Sequence, residues 1–285
     1  MPSSPFVINL ASTGMVPTRR MSPHVPLNHQ EIVDDVAACL ELGVQMFHLH
    51  ARDAEGQHTG EPEVYGRMIE AIRKLPGGRE AILCVTTSGR VDNSFAARSR
   101  VLDLDGSMKP DMASLTLSSL NFQQQASTNP PETIRRLAQK MLEKGIRPEL
   151  EVFDLGMANF LSVLMKEELV ASPCYVNILL GNVAGGQASD LHFAAMRLAL
   201  PLNHCLVAVA GIGRDQLRAN MMGLLMADGV RVGLEDNLWQ DVSRQTYATN
   251  VSLVQRVLRV AVELERPLYS LVELRSRLGL NGLKK

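Results

Sequence analysis

Short apolar segments alternate with amphipathic helical stretches along the whole chain, and this alternation limits the possible folds more than any other feature. The strand candidates cover residues 7–10, 44–50, 81–87, 112–117, 149–153, 175–180, 206–210 and 230–234. They are rich in Val, Ile and Leu and show little period-2 alternation, as expected of parallel strands buried on both faces. Asn28-His29-Gln30-Glu31 reads as a capping box, opening a helix with apolar positions Ile32, Val36 and Leu40, and Gly43 stops it. Asn129-Pro130-Pro131-Glu132 repeats the logic, with Asn129 as N-cap of a helix that runs to Gly145. Further helices are expected over 250–263 and 271–278. Eight strands, each followed by a helix or long loop without an interior linker, predict an α/β fold: one (β/α)8 TIM barrel catalytic domain over residues 1–285. A doubly wound sheet is the alternative, weakened by the lack of a GxGxxG turn after the first strand.

Composition narrows the function class. A formal net charge of -1 argues against a dedicated nucleic-acid protein. No apolar run reaches the roughly 18 residues of a membrane span. The N-terminal Met1-Pro2-Ser3-Ser4 lacks the basic region and apolar core of a signal peptide, so a cytoplasmic protein is expected. Cys39, Cys84, Cys174 and Cys205 form no CxxC pair and read as buried free thiols.

In such a barrel, chemistry sits at the C-terminal ends of the strands. The second strand ends in His48-Leu49-His50. Side chains two apart share a face, so the imidazoles lie side by side. They are either a hydrogen-bonded buried pair or joint ligands of a transition metal. After the first strand come Thr13, Gly14, Thr18, Arg19 and Arg20, plain loop chemistry or an anion site. The third strand ends in Thr86-Thr87-Ser88-Gly89-Arg90, which suits a carboxylate or phosphate as well as an ordinary turn. Ser114 and Thr116 share a face of the fourth strand. The fifth carries Glu149, Glu151 and Asp154, of which Glu151 or Asp154 is nearer the barrel mouth. Gly211-Ile212-Gly213-Arg214 offers backbone N–H groups and a cation before a helix, a weak anion-site signal through Gly213 and Arg214. The eighth strand gives Arg231, and Glu235 and Asp236 stand at its exit. It adjoins the first strand, which adjoins the second, so Glu235 can reach a metal held by His48 and His50. Two histidines and a carboxylate leave an open position, as a catalytic zinc requires. Asp236 would then be free as a base, held by Arg231. The histidines at 24, 29, 58, 192 and 204 are not well placed as ligands, which disfavours an amidohydrolase-type barrel.

At this point the chain resembles the β-keto acid cleavage enzymes. The resemblance rests on His48-Leu49-His50-Ala51-Arg52-Asp53, Lys109-Pro110-Asp111-Met112-Ala113-Ser114-Leu115, Glu149-Leu150-Glu151-Val152-Phe153, Gly211-Ile212-Gly213-Arg214 and Arg231-Val232-Gly233-Leu234-Glu235-Asp236-Asn237, in order over nearly the whole chain. It implies a barrel, usually a homotetramer, with a divalent metal, normally zinc (Zn2+). It implies a reaction in which a β-keto acid and acetyl-CoA give acetoacetate and a new acyl-CoA. By position, His48, His50 and Glu235 would be metal ligands. Asp236 would be the general base, taking a proton from the acetyl-CoA methyl, with Arg231 orienting it and Glu151 supporting the network. Thr86 and Ser114 would help hold the substrate carboxylate, with Ser88 and Thr116 close by. Val16 stands where members acting on an amino-substituted substrate have glutamate, which argues against such a substrate. Ser88 and Thr116 also depart from the common glycine and asparagine. Arg90 and Arg20 could receive a second carboxylate, whereas Met15, Val16 and Pro17 equally suit an uncharged side chain.

Three readings follow. A metal-dependent cleavage enzyme needs both acetyl-CoA and a β-keto acid. A metal-dependent hydrolase on the same barrel needs only water. A non-catalytic binding barrel returns its ligand unchanged, and the clustered Arg231, Glu235 and Asp236 argue against it.

Overall fold

A computed structural model describes residues 4–280. Eight parallel strands close into a barrel: β1 (Val7–Ala11), β2 (Met46–Leu49), β3 (Ile82–Val85), β4 (Met112–Thr116), β5 (Arg147–Val152), β6 (Cys174–Leu180), β7 (Cys205–Gly211) and β8 (Gly229–Val232). Each pairs with its sequence neighbours, and β8 closes on β1. This is the expected (β/α)8 architecture, not a doubly wound sheet. Burial of nearly every strand residue explains the missing alternation, since both faces are covered.

The helices α1 (His29–Glu41), α2 (Pro62–Arg73), α3 (Phe95–Ser99), α4 (Pro131–Lys144), α5 (Leu155–Lys166), α6 (Asp190–Ala199), α7 (Gln216–Met226), α8 (Asn250–Glu263) and α9 (Leu271–Arg277) complete the fold. The Asn28 side chain caps α1 by accepting from the Glu31 N–H. The expected box is only half made, because the Glu31 carboxylate takes Arg19 and the Leu27 N–H instead. Asn129 is not the cap of α4: Pro130 occupies that position, and the Asn129 amide donates to Ser118 and Ser127. Gly145 ends α4 in the left-handed conformation, as its position suggested. The sequence pattern did not reveal a small antiparallel pair, Leu120–Asn121 with Ala126–Ser127, in the excursion after β4. All four cysteines are free and buried, and no helix among the described residues is long and apolar enough to cross a membrane.

At the end of the barrel away from the candidate site, Asp111 ties three elements together. It precedes β4, accepts from the Leu83 N–H at 2.9 Å, and pairs with Arg73 of α2 at 2.5 Å and Arg275 of α9 at 2.8 Å. All three side chains are buried or nearly so. Removing one member of a buried ion network leaves uncompensated charge, so Asp111→Ala is expected to destabilise the fold by about 3–5 kcal/mol. Urea unfolding measures this, and a loss below about 1 kcal/mol would show that the clamp is dispensable.

Candidate active site

The site grows from a polar layer inside the barrel. β1 sets Asn9 beside Arg231 of β8, and sets Ala11 beside His48 of β2. Glu149 of β5 is wholly buried at the centre of this layer. It accepts from the amides of Asn9 and Asn177, lies 3.3 Å from His48 Nδ1 and 3.6 Å from Arg231 Nη1. Burial opposes its ionisation, but His48 and Arg231 outweigh burial and lower its carboxyl to about 2. Glu149 therefore fixes the His48 ring from behind, leaving Nε2 facing the barrel mouth.

Above it, His48 Nε2 lies 3.1 Å from His50 Nε2. Glu235 Oε2 lies 3.8 Å from the first and 3.4 Å from the second. Burial opposes a charge on His48, yet Glu149 and Glu235 raise its imidazole to about 9. For His50, burial dominates and lowers it. Burial also works against ionised Glu235, but His50, Arg231 and His48 together hold its carboxyl well below the usual range.

Arg231 is the fixed cation of the site. Its guanidinium is buried and faces four carboxylates: Asp236 at 3.0 Å, Glu235 at 2.9 Å, Glu151 at 3.3 Å and Glu149 at 3.6 Å. Thr116 Oγ1 donates to Glu151 at 2.6 Å. Burial raises Asp236 above the ordinary aspartate range despite the nearby Arg231. Backbone bonds hold the turn that carries Glu235 and Asp236. The Glu235 N–H donates to Ala11, the Leu234 N–H to the Asn250 side chain, and the Gly213 N–H to the Asp236 carbonyl. Gly233 makes the turn possible, with φ 147° and a would-be Cβ 2.1 Å from the Ala11 carbonyl oxygen.

His48, His50 and Glu235 form a group whose ligand atoms all lie within 4.8 Å of one another. A second trio, His48, Cys84 and Glu149, meets the same distance criterion. It is wholly enclosed, its carboxylate is taken by two amides, and burial pushes the Cys84 thiol well up, so it keeps its proton. The first trio opens to a cavity of about 400 Å³, whose wall includes His50, Glu235, Asp236, Arg231, Glu151, Thr86, Ser88 and Thr116. Glu235 Oε2 is buried without a hydrogen-bond partner. An orphaned carboxylate oxygen facing two imidazole nitrogens, amid an excess of carboxylates over cations, fits a divalent ion.

The structure also separates some residues from the cavity. Ser114 is buried, accepts from the Thr87 N–H at 3.2 Å and is not on the cavity wall, because it is spent in tying β3 to β4. Gly213 and Arg214 stand outside the wall too, with their neighbour Ile212 on it; Arg214 is exposed. Asp154 caps α5, and Arg20 is exposed and off the wall. Glu149 was missed as a site residue. Its signal was the Glu149-Leu150-Glu151 alternation, which turns both carboxylates to one face and demands partners for the deeper one. His58, which the sequence does not place well as a ligand, lies with its ring edge-on to His50, 5.5 Å between centroids.

The sequence pattern of the beta-keto acid cleavage enzyme family matches residues 5–280. The chain is 35% identical to the 3-oxoadipate:acetyl-CoA acetyltransferase of Cupriavidus necator, over 99% of this chain and 97% of the relative. It is 32% identical to a 3-keto-5-aminohexanoate cleavage enzyme of Fusobacterium nucleatum, over 96% and 98%. Among solved structures, a ternary complex of ObcA with a C4-CoA adduct and oxalate superposes with a TM-score of 0.79 at 19% identity, covering 91% of this chain and 68% of the other. That likeness shows the shared fold.

Gly14 provides a test of the trio. Its φ is +69°, and a Cβ there would lie 2.6 Å from Glu235 Cγ. Gly14→Ala must displace Glu235, so affinity for zinc, read by competition with a chromogenic chelator, is expected to fall about 10- to 100-fold in a folded protein. Unchanged affinity would remove Glu235 from the ligand set.

Proposed function

The chain belongs to the beta-keto acid cleavage enzyme family, and from that membership we propose that one barrel domain condenses a β-keto acid with acetyl-CoA to give acetoacetate and a new acyl-CoA. The observation that carries this reading is the placement of Asp236: buried, braced by Arg231, and on the same cavity wall as His50 and Glu235. His48, His50 and Glu235 would hold a divalent ion, and an open two-histidine, one-carboxylate set suits zinc. Such an ion supplies Lewis-acid polarisation of a substrate carbonyl.

Atom balance fixes which proton Asp236 takes. Acetoacetate and a new acyl-CoA arise only if C2 of the β-keto acid becomes bonded to the acetyl carbonyl carbon. The base therefore removes the C2 proton of the keto acid, and removal from the acetyl-CoA methyl, as the resemblance first suggested, would not give these products. The C2 electron pair attacks the thioester carbon, and the C–S bond breaks to release CoA thiolate. The thiolate then adds to the original keto carbon. Cleavage of the C2–C3 bond returns an electron pair to C2, and Asp236 gives the proton back. The raised Asp236 carboxyl suits a group that first accepts and then donates. Arg231 keeps the carboxylate aligned, and Glu151 with Thr116 steadies Arg231. No nucleophilic side chain and no water is consumed.

Thr86 and Ser88 on the cavity wall offer hydroxyls to the carboxylate next to C2. Ser114 acts through its bond to the Thr87 N–H. Gly213 and Arg214, beyond Ile212, would lie along the path of the CoA chain. A homotetramer belongs to the same proposal by family resemblance.

Acetoacetate formation is expected only with both substrates present, and prolonged chelation should abolish it. His48→Ala should lose the metal, whereas Asp236→Asn should keep it and lose about 10²- to 10⁴-fold in kcat. Turnover of the keto acid with water alone would favour the hydrolase reading. Near wild-type activity of Asp236→Asn would overturn the assignment of the base.

A further inference from the structure

One cation on the cavity wall makes no hydrogen bond or ion pair among the described residues. Arg231 is matched by carboxylates, Arg52 donates to the carbonyls of Gly14, Pro17 and Gly56, and Arg98 donates to the Thr87 carbonyl. Arg90 lies on the wall between them in sequence, and its guanidinium makes no hydrogen bond or ion pair with any described residue. It is stacked on the Phe122 ring, 3.4 Å from the centroid. Stacking fixes the plane of the guanidinium and leaves its in-plane N–H donors free, the geometry that receives a carboxylate through two parallel bonds. Burial lowers its pKa, yet it remains a cation at neutral pH. A partly desolvated cation with free donors is costly unless a ligand completes it.

Its stacking partner stands apart from the strands that carry the metal-type trio, although Glu235 and Glu151 act electrostatically on Arg90 itself. Phe122 belongs to the antiparallel excursion after β4, and its ring packs edge-on to Phe153 at the end of β5, 5.8 Å between centroids. The metal-type trio comes from β2 and the turn after β8, whereas Phe122 and Phe153 follow β4 and β5. The cavity of about 400 Å³ contains both. The hydroxyls of Thr86 and Ser88 already serve the carboxylate beside the reacting carbon.

We propose that Arg90, held flat by Phe122, binds a second carboxylate at the far end of the substrate, so that this chain prefers 3-oxo dicarboxylic acids. This rests on the reading of the cavity as a β-keto acid site. The same cation repels an amino-substituted substrate, and Val16 provides no carboxylate to offset that repulsion. Arg90 is thus the specificity residue that the sequence left undecided between a charged and an uncharged substrate end.

The test compares 3-oxo dicarboxylates of five to seven carbons with 3-oxohexanoate, which ends in a methyl group, and with 3-keto-5-aminohexanoate, each with acetyl-CoA. The wild type should favour a dicarboxylate in kcat/KM. Arg90→Gln should lower the dicarboxylate-to-3-oxohexanoate ratio by about 10- to 100-fold, chiefly through KM, and Arg90→Lys should restore part of it. Circular dichroism and zinc content of the variants establish that they are folded and loaded. If Arg90→Gln lowers both substrates equally, Arg90 serves the carboxylate common to all β-keto acids and the proposal is overturned. It is also overturned if the wild type prefers the neutral or the amino substrate; acetyl-CoA-dependent turnover then still stands. Failure of every β-keto acid would instead sink the cleavage reading itself, and this inference with it.

Discussion

The buried guanidinium of Arg231 is the interaction on which the rest of the site depends. Four carboxylates converge on it from β5 and from the turn after β8. None could remain ionised there alone, because burying an unpaired carboxylate costs several kcal/mol. Arg231 allows them to be close together, and their closeness then divides their roles. Glu149 sits deepest and serves His48 from behind. Glu151 rests on Thr116. Glu235 turns one oxygen to Arg231 and the other toward the two imidazoles. Asp236 meets the guanidinium through both oxygens and faces the cavity.

This arrangement separates two acids that are adjacent in sequence. Glu235 is held strongly ionised, as the proposed ligand would have to be, and Asp236 is pushed toward higher basicity, as the proposed proton acceptor would have to be. Environment creates the difference, since the two residues share one cation. The turn must therefore be rigid. It is pinned to the Ala11 carbonyl, the Asn250 side chain and the Gly213 N–H, and its close approach to β1 requires glycine at 14 and 233. Barrel closure between β8 and β1 is thus also what brings the last strand's carboxylate to the second strand's histidines.

Much of this could be read in the sequence, for physical reasons that differ by residue. Eight doubly buried strands leave short apolar runs without alternation, because parallel strands covered on both faces have no polar side. His48 and His50 stand out because two imidazoles at i and i+2 closing an apolar run share one face of the strand. Glu235 could be placed beside the two imidazoles once the barrel made β8 and β2 near neighbours. What failed to show was long-range. Glu149 and Glu151 look alike in sequence, and only the depth of the barrel gives the first to His48. Ser114 lies on the expected strand face, but the register of β3 with β4 turns its hydroxyl to the Thr87 N–H. Asn129 looked like a cap until the excursion after β4 supplied its side chain with other partners. Arg90 was one of two candidate cations, and exposure of Arg20 and the Phe122 stack distinguish them.

The central claim is that Asp236 creates a nucleophile at C2 of the keto acid, which captures the acetyl group from CoA. The most direct measurement uses two carbon-13 labels, one at C2 of the preferred β-keto acid and one at the carbonyl carbon of acetyl-CoA. Acetoacetate should then carry both labels on adjacent carbons and show a one-bond carbon–carbon coupling in its NMR spectrum, with neither label in the new acyl-CoA. Labels appearing in separate products, or the acetyl label released as acetate, would contradict it.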